Sequence, residues 1–260
     1  MRLDNLPKIA NFAVVGNPCR LPDGARHEGC VLHEIKYFCY KQNERRLMIK
    51  IECFENRPIG ECAYVVSDAT SEAVIIDCGA LFPEDQQVIA DYIEREGLHV
   101  VHHVLTHGHF DHMFGAQWVA DIYGVLPEMH AADTDFYLRA PAMMSAFFHR
   151  PFDFPVPRIG GFYRGGDTVV FGDHKLAVIE CPGHTPGGCC LYCEEEGVLF
   201  SGDSIFRLSI GRTDMPGGDH TSLISSLAER ILTLPESVKV YPGHGPATTI
   251  ADEKQFNPYI

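Results

Sequence analysis

The run Thr106-His107-Gly108-His109-Phe110-Asp111-His112 constrains this chain more than any other stretch. It places three imidazoles and a carboxylate close together, directly after an apolar run over residues 100–105 that reads as a buried strand. Imidazole and carboxylate are ligands shared by Zn²⁺, Fe²⁺ and Mn²⁺. In an extended segment side chains alternate faces, so His107, His109 and Asp111 are expected to point one way. His112 falls one step later, where a helical apolar pattern begins, and points elsewhere. One short segment can thus serve two adjacent metals.

Three further polar clusters interrupt the apolar pattern, each just past a predicted strand. Cys181-Pro182-Gly183-His184-Thr185-Pro186-Gly187 follows residues 175–181, Ser201-Gly202-Asp203-Ser204 follows 198–201, and Pro242-Gly243-His244-Gly245 follows 238–241. Loops at the carboxyl ends of strands converge, and α/β folds place their chemistry there. Gly183, Gly202 and Gly243 each precede the residue of interest, where a missing Cβ permits a tight bend. The set is His107, His109, Asp111, His112, His184, Asp203 and His244. It divides into His107, His109 and His184 for one metal and Asp111, His112 and His244 for a second, with Asp203 bridging. Such a pair brings the pKa of water from about 15.7 to near 7. The resulting metal-bound hydroxide attacks a carbonyl, and Asp111 and Asp203 are the carboxylates closest to that chemistry. Asp77, in Ile76-Asp77-Cys78-Gly79, ends another strand and is expected to orient a ligand histidine from behind.

The other histidines, His27, His33, His99, His102, His103, His130, His149, His174 and His220, carry no such pattern and read as ordinary surface or core residues. The ten cysteines are scattered, and the single C-x-x-C, Cys190 to Cys193, lacks the second pair of a zinc ribbon. They read as reduced, small hydrophobes, which fits a cytoplasmic protein.

The formal charge of -14, from 35 acids and 21 bases, argues against a nucleic-acid partner. No stretch approaches the ~18 apolar residues of a membrane span. Residues 1–47 lack clean periodicity and are expected to be an extension, poorly ordered or not natively translated, with Met48 as the alternative start. From Met48 onward, strands are expected at 48–54, 61–67, 73–77, 100–105, 126–129, 168–171, 175–181, 189–193, 198–201 and 238–241. Helices are expected at 83–96, 113–123 and 221–232, with a short one after Thr249. Residues 131–165 are rich in aromatics and punctuated by proline. They are expected to form an irregular flap beside the metals, or else to pack a subdomain or a homodimer contact.

These motifs, in this order, resemble those of the metallo-β-lactamase superfamily, from about Met48 to Ile260. The segments Gly211-Arg212-Thr213-Asp214-Met215-Pro216-Gly217-Gly218-Asp219 and Tyr241-Pro242-Gly243-His244-Gly245-Pro246-Ala247-Thr248-Thr249-Ile250 look like the glyoxalase II-like (hydroxyacylglutathione hydrolase-like) branch. The resemblance implies an α/β fold, an αββα sandwich of two mixed β-sheets flanked by helices. It implies the same seven ligands and two divalent ions, zinc first, with iron or manganese as alternatives. It implies hydrolysis of a small-molecule thioester such as an acylated glutathione. The additional helical domain that grips glutathione in full-length relatives is expected to be absent, since only residues 245–260 follow His244. The Gly211-Arg212-Thr213-Asp214 segment is also similar to that of persulfide dioxygenases, which use one iron at the positions of His107, His184 and Asp203; that activity is the alternative. Arg207 and Arg212 lie nearest Asp203 in sequence, and either can pair with a substrate carboxylate. Arg212 can equally pair with Asp214.

Overall fold

Residues Glu61–Ser67 are buried at every position, so this strand is covered on both faces. Its neighbours explain how. In the computed structural model, which describes residues 48–260, the chain runs through β1 (Lys50–Asn56), β2 (Glu61–Ser67), β3 (Glu72–Ile76), α1 (Pro83–Glu96), β4 (His99–Val104), α2 (Ala116–Tyr123), β5 (Pro127–His130), α3 (Thr134–Leu138), α4 (Ala140–Phe147) and β6 (Gly161–Tyr163). The six strands form one sheet in chain order, antiparallel from β1 to β3 and parallel from β3 to β6.

The rest of the chain builds a second sheet from β7 (Thr168–Phe171), β8 (His174–Glu180), β9 (Cys189–Cys193) and β10 (Val198–Gly202). A small hairpin follows, β11 (Ile205–Phe206) and β12 (Ser209–Ile210). Then come α5 (His220–Ser226), β13 (Lys239–Pro242), β14 (Thr248–Thr249) and α6 (Ile250–Phe256). The order is β14-β13-β10-β9-β8-β7, with β10 and β13 parallel and the other pairs antiparallel. Both sheets are mixed, as expected.

The period-2 alternation of the strands sorts the layers. Tyr64, Val66, Val74 and Ile76 face inward and meet Phe171, Leu176, Leu191 and Phe200 of the second sheet. Val65 and Ile75 face outward, under Ile89 and Ile93 of α1 and Val119 of α2. On the far side Leu199 and Val240 lie under Leu223 of α5 and Ile250 of α6. The result is an αββα sandwich. Removing one fully buried ring from its centre, such as Phe200, costs about 3–5 kcal/mol.

Helix α1 has the predicted bounds: Pro83 opens it, Glu84 and Asp85 stand in its first turn, and Gly97 ends it in the left-handed conformation. Three expectations need correction. The helix expected at 113–123 starts at Ala116, because a 3₁₀ turn over Phe110–His112 and a turn through Gly115 intervene. Residues 221–232 are not one α-helix; α5 gives way to a π-helical turn over Leu227–Ile231. Residues 131–165 hold a 3₁₀ turn, α3, α4 and β6, so the one long irregular stretch within them is 148–160. Tyr137, Met144 and Phe154 anchor this segment against Leu105, Phe110 and Met113. No helix among the described residues is long and apolar enough to cross a membrane. The extension over residues 1–47 lies outside the described residues.

Candidate metal centre

Five strands end at one mouth of the sandwich. Asp77 follows β3, His107 and His109 follow β4, His184 follows β8, Asp203 follows β10, and His244 follows β13. The first sheet thus contributes one part of the cluster and the second sheet the other. The extended geometry expected over residues 107–112 holds only to His109. The 3₁₀ turn of Phe110–His112 then redirects both Asp111 and His112, so Asp111 leaves the face of His107 and His109.

Among the seven expected residues, three groups of ligand atoms gather within 4.8 Å: His107, His109 and His184; His107, His112 and Asp203; and Asp111, His112 and His244. His109 Nδ1 lies 2.9 Å from His184 Nε2. His244 Nε2 lies 3.3 Å from Asp111 Oδ2. Asp203 stands between the two triads, with Oδ2 3.6 Å from His184 Nε2 and 3.7 Å from His244 Nε2, and Oδ1 3.3 Å from His112 Nε2. All seven expected residues are therefore brought together.

The ring orientations are set from behind. The Nδ1 of His184 donates to the Arg212 carbonyl at 2.7 Å, and the Nδ1 of His244 donates to the Gly60 carbonyl at 3.1 Å. The Nδ1 of His112 donates to Asp77 Oδ2 at 2.9 Å. Thr106 Oγ1 donates to Asp77 Oδ2 at 2.8 Å and accepts from His107 Nδ1 at 3.1 Å. Four histidines thus turn Nε2 towards the centre, and Asp77 supports two of them. Its backbone sits at φ 55°, a left-handed conformation held by the Thr106 N–H bond to Oδ1 at 2.7 Å.

The buried Nε2 of His107 has no hydrogen-bond partner, and the Nε2 of His112 and the Oδ1 of Asp203 meet only each other, at 3.3 Å. Buried polar atoms without partners are costly, and here they converge among other ligand-type atoms, which fits a divalent cation. The charges agree. Burial, then the nearby His112, His109 and His184, hold His107 well below the usual imidazole range. Burial, then His184, brings His109 to about 4. Both rings are neutral and keep lone pairs. Burial opposes the charge of Asp203, but His112, His107 and His184 hold its carboxyl well below the usual range. Burial likewise opposes a charge on His112, yet Asp203, Asp77 and Asp111 raise it well above its ordinary value.

Gly243 shows how tightly the centre is packed. A Cβ there would stand 2.3 Å from Asp203 Oδ1 and 2.6 Å from His112 Cε1. The need at this glycine is space, whereas Gly202, at φ 48°, supplies the bend that aims Asp203.

A cleft of about 370 Å³ opens over His109, Asp111, His184, Asp203 and His244. Its walls are Ile59, Phe110, Phe147, Phe206, Ile210, Arg212 and Met215. Arg212 lies where expected, but it forms a two-pronged ion pair with Asp214, Nε to Oδ1 at 2.8 Å and Nη2 to Oδ2 at 2.9 Å. Arg207 is not on the cleft. Phe206, at the end of β11, lines the cleft, while Arg207, in the turn of the β11–β12 hairpin, lines a separate groove with Lys239 and Thr249. The aromatic segment does reach the centre, through Phe147 on the cleft wall and Phe136, whose ring centroid is 5.7 Å from that of His109. Phe148 packs instead on Phe147 and Phe152.

Among histidines read as ordinary, His102 pairs with Glu128 at 2.7 Å and His174 with Asp68 at 3.0 Å. His103 is buried with both ring nitrogens unpartnered. The described cysteines are unbridged, six of the seven buried. Cys19, Cys30 and Cys39, like His27 and His33, lie outside the described residues. Two buried acids escaped sequence reasoning because neither stands in a recognisable motif. Glu61 accepts from Asn56 Nδ2 at 2.9 Å and the Gly79 N–H at 2.8 Å, beside Asp77. Asp133 binds two of the ligand loops at once.

Two facing mixed sheets, helices outside, and His/Asp triads at the strand ends define a metal-binding αββα protein. A family model described as the metallo-beta-lactamase superfamily matches residues 59–244, and the chain belongs to that superfamily. The hydroxyacylglutathione hydrolase GloC of Haemophilus influenzae is 32% identical over 197 residues, covering 75% of this chain and 91% of that protein. The crystal structure of the BLEG-1 B3 metallo-beta-lactamase matches with a TM-score of 0.74 at 36% identity, covering 82% of this chain and 99% of that one. The crystal structure of TTHA1623 in a di-iron-bound form matches with a TM-score of 0.68 at 33% identity, covering 78% and 96%. Together with the two triads, that di-iron neighbour supports a dinuclear metal site here.

Proposed function

We propose that this chain is a cytoplasmic dinuclear hydrolase of a thioester, such as an acylated glutathione or a related thiol, with zinc as the first choice of metal. The observation that carries the reading is Asp203, whose two oxygens face both histidine triads beneath an apolar cleft. His107, His109 and His184 would hold one ion, Asp111, His112 and His244 the other, and Asp203 both.

When bound, the ions supply Lewis acidity and a water acidified to near neutral pH. The protein supplies the rest. Asp77 fixes the tautomers of His107 and His112, so both present lone pairs to a cation. Asp111 and Asp203 keep negative charge at neutral pH and offset the two cations. Phe110, Phe147, Phe206, Ile210 and Met215 exclude water around the acyl group and position it by burial. Arg212 stands at the rim, where a substrate carboxylate competes with Asp214 for its guanidinium.

The test is metal analysis of the purified protein, together with rates on an S-acylglutathione, a β-lactam and a persulfide under oxygen. Two ions per chain and turnover of the thioester support the reading. One iron with oxygen uptake, or preferred turnover of the β-lactam, overturns it.

A further inference from the structure

Asp133 occupies the first position before helix α3, where an aspartate ordinarily accepts a backbone N–H of the first helical turn. It makes no such bond. Its side chain turns away from the helix it precedes and is fully buried. Oδ2 accepts the Gly108 N–H at 2.9 Å and the Thr185 hydroxyl at 2.7 Å, and Oδ1 accepts the Gly187 N–H at 2.6 Å. Gly108 lies between His107 and His109, and Thr185 directly follows His184. One carboxylate therefore grips both loops that carry the first triad, one from each sheet. The contact admits no substituent on either loop. A Cβ on Gly108 would stand 2.8 Å from the Asp133 carbonyl, and one on Gly187 2.8 Å from Asp133 Oδ1.

From this geometry we infer that Asp133 is a positioning residue for the first metal. It sets the separation of His107 and His109 from His184, and does so without touching the second triad. The inference rests on the dinuclear reading above. Its logic is local. A capping bond is given up, although the same side chain could make it, and three donors from two distant segments are satisfied instead. The second triad is supported by Asp77, which bonds His112 directly; through Thr106 it also reaches His107, but it makes no bond to the His184 loop. Asp133 bonds only the loops of the first triad and makes no bond to Asp111, His112 or His244, so weakening it should spare the second ion.

The experiment titrates the metal-stripped full chain with Zn²⁺, and separately with Co²⁺ to read its visible absorption. Asp133→Asn keeps the shape but replaces one acceptor oxygen with a donor. Thr185→Val removes only the hydroxyl bond and leaves the carboxylate. Thr185→Ser restores the bond. Asp133→Asn and Thr185→Val should each weaken one of the two binding steps, by roughly 10- to 100-fold for a lost support of this kind. The other step should be unchanged, and Thr185→Ser should return the affected step to the parent value. Equal weakening of both steps, or none in either variant, overturns the inference and leaves Asp133 a support of the fold alone. Should Asp133→Asn fail to fold, Thr185→Val and its serine rescue decide the matter. A parent chain that binds fewer than two Zn²⁺ overturns the dinuclear reading itself, which separates the two failures.

Discussion

The Nδ1 of His112 lies 2.9 Å from Oδ2 of Asp77, and both side chains are buried. Asp77 comes from the end of β3 and His112 from the turn after β4, so two parallel neighbours are joined behind the metal centre. Replacing Asp77 with Asn keeps the shape but removes the acceptor for one imidazole N–H or for Thr106. Activity should fall roughly 10- to 100-fold, with the loss in kcat and in metal occupancy. Steady-state rates on the thioester and metal counts on the same sample check this.

His109→Ala and Asp203→Ala should abolish hydrolysis while leaving circular dichroism nearly unchanged. Each removes a group facing the centre of the site and none of the cores between sheets and helices. Turnover near the parent level in either variant would contradict the roles given to them.

Chelation should inactivate the enzyme and also destabilise it, because the ions tie loops of both sheets together. An ion present at a hundred times its dissociation constant contributes about 2.7 kcal/mol. The melting temperature should therefore drop on chelation and recover as Zn²⁺, Fe²⁺ or Mn²⁺ is restored. Parallel activity measurements identify the metal that the site uses.

Phe147→Ala should raise the Michaelis constant several-fold with metal content unchanged, since this ring lines the cleft. Arg207→Ala should leave the kinetics alone, because its groove lies apart from the cleft. Phe148→Ala should act mainly on stability, through its packing on Phe147 and Phe152.

His103 gives a pH signature independent of catalysis. Burial lowers its pKa from the ordinary 6.5 to about 3. The unfolded chain therefore binds a proton that the folded chain refuses between those values. The folded state keeps its full stability above about pH 6.5 and loses it as pH falls towards 3. At pH 4 the loss from this one group is about 3 kcal/mol. Denaturant melts of the parent and His103→Leu should diverge in this window, the variant losing less on acidification.

What could be read from residues alone was whatever is local. The histidine-rich segment, Gly183-His184, Gly202-Asp203 and Gly243-His244 each combine a strand end, a small residue and a ligand within a few positions, so no tertiary information is needed to find them. The two sheets follow from runs such as residues 61–67, apolar at nearly every position. Helix α1 was legible because Pro83 and Gly97 mark both ends. The failures share a cause, since each depends on contacts between distant segments. Whether Arg207 or Phe206 meets the cleft is decided by where the β11–β12 hairpin turns. Whether Phe147 or Phe148 does is decided by how α4 lies on Phe110. Asp133 is invisible because its partners lie 25, 52 and 54 residues away.

The division of the chain into two sheets has a consequence for assembly. Every strand of the first sheet precedes Arg164 and every strand of the second follows Asp167, and the link between them is an exposed turn with Gly166 at φ 89°. His107, His109, Asp111 and His112 belong to one half; His184, Asp203 and His244 belong to the other. Cut at that turn, each fragment carries an incomplete ligand set and half of the apolar face that Phe200 and Ile76 now share. Hydrolysis by the mixed fragments would then report their reunion, with the cations acting as a ligature between two separately made pieces.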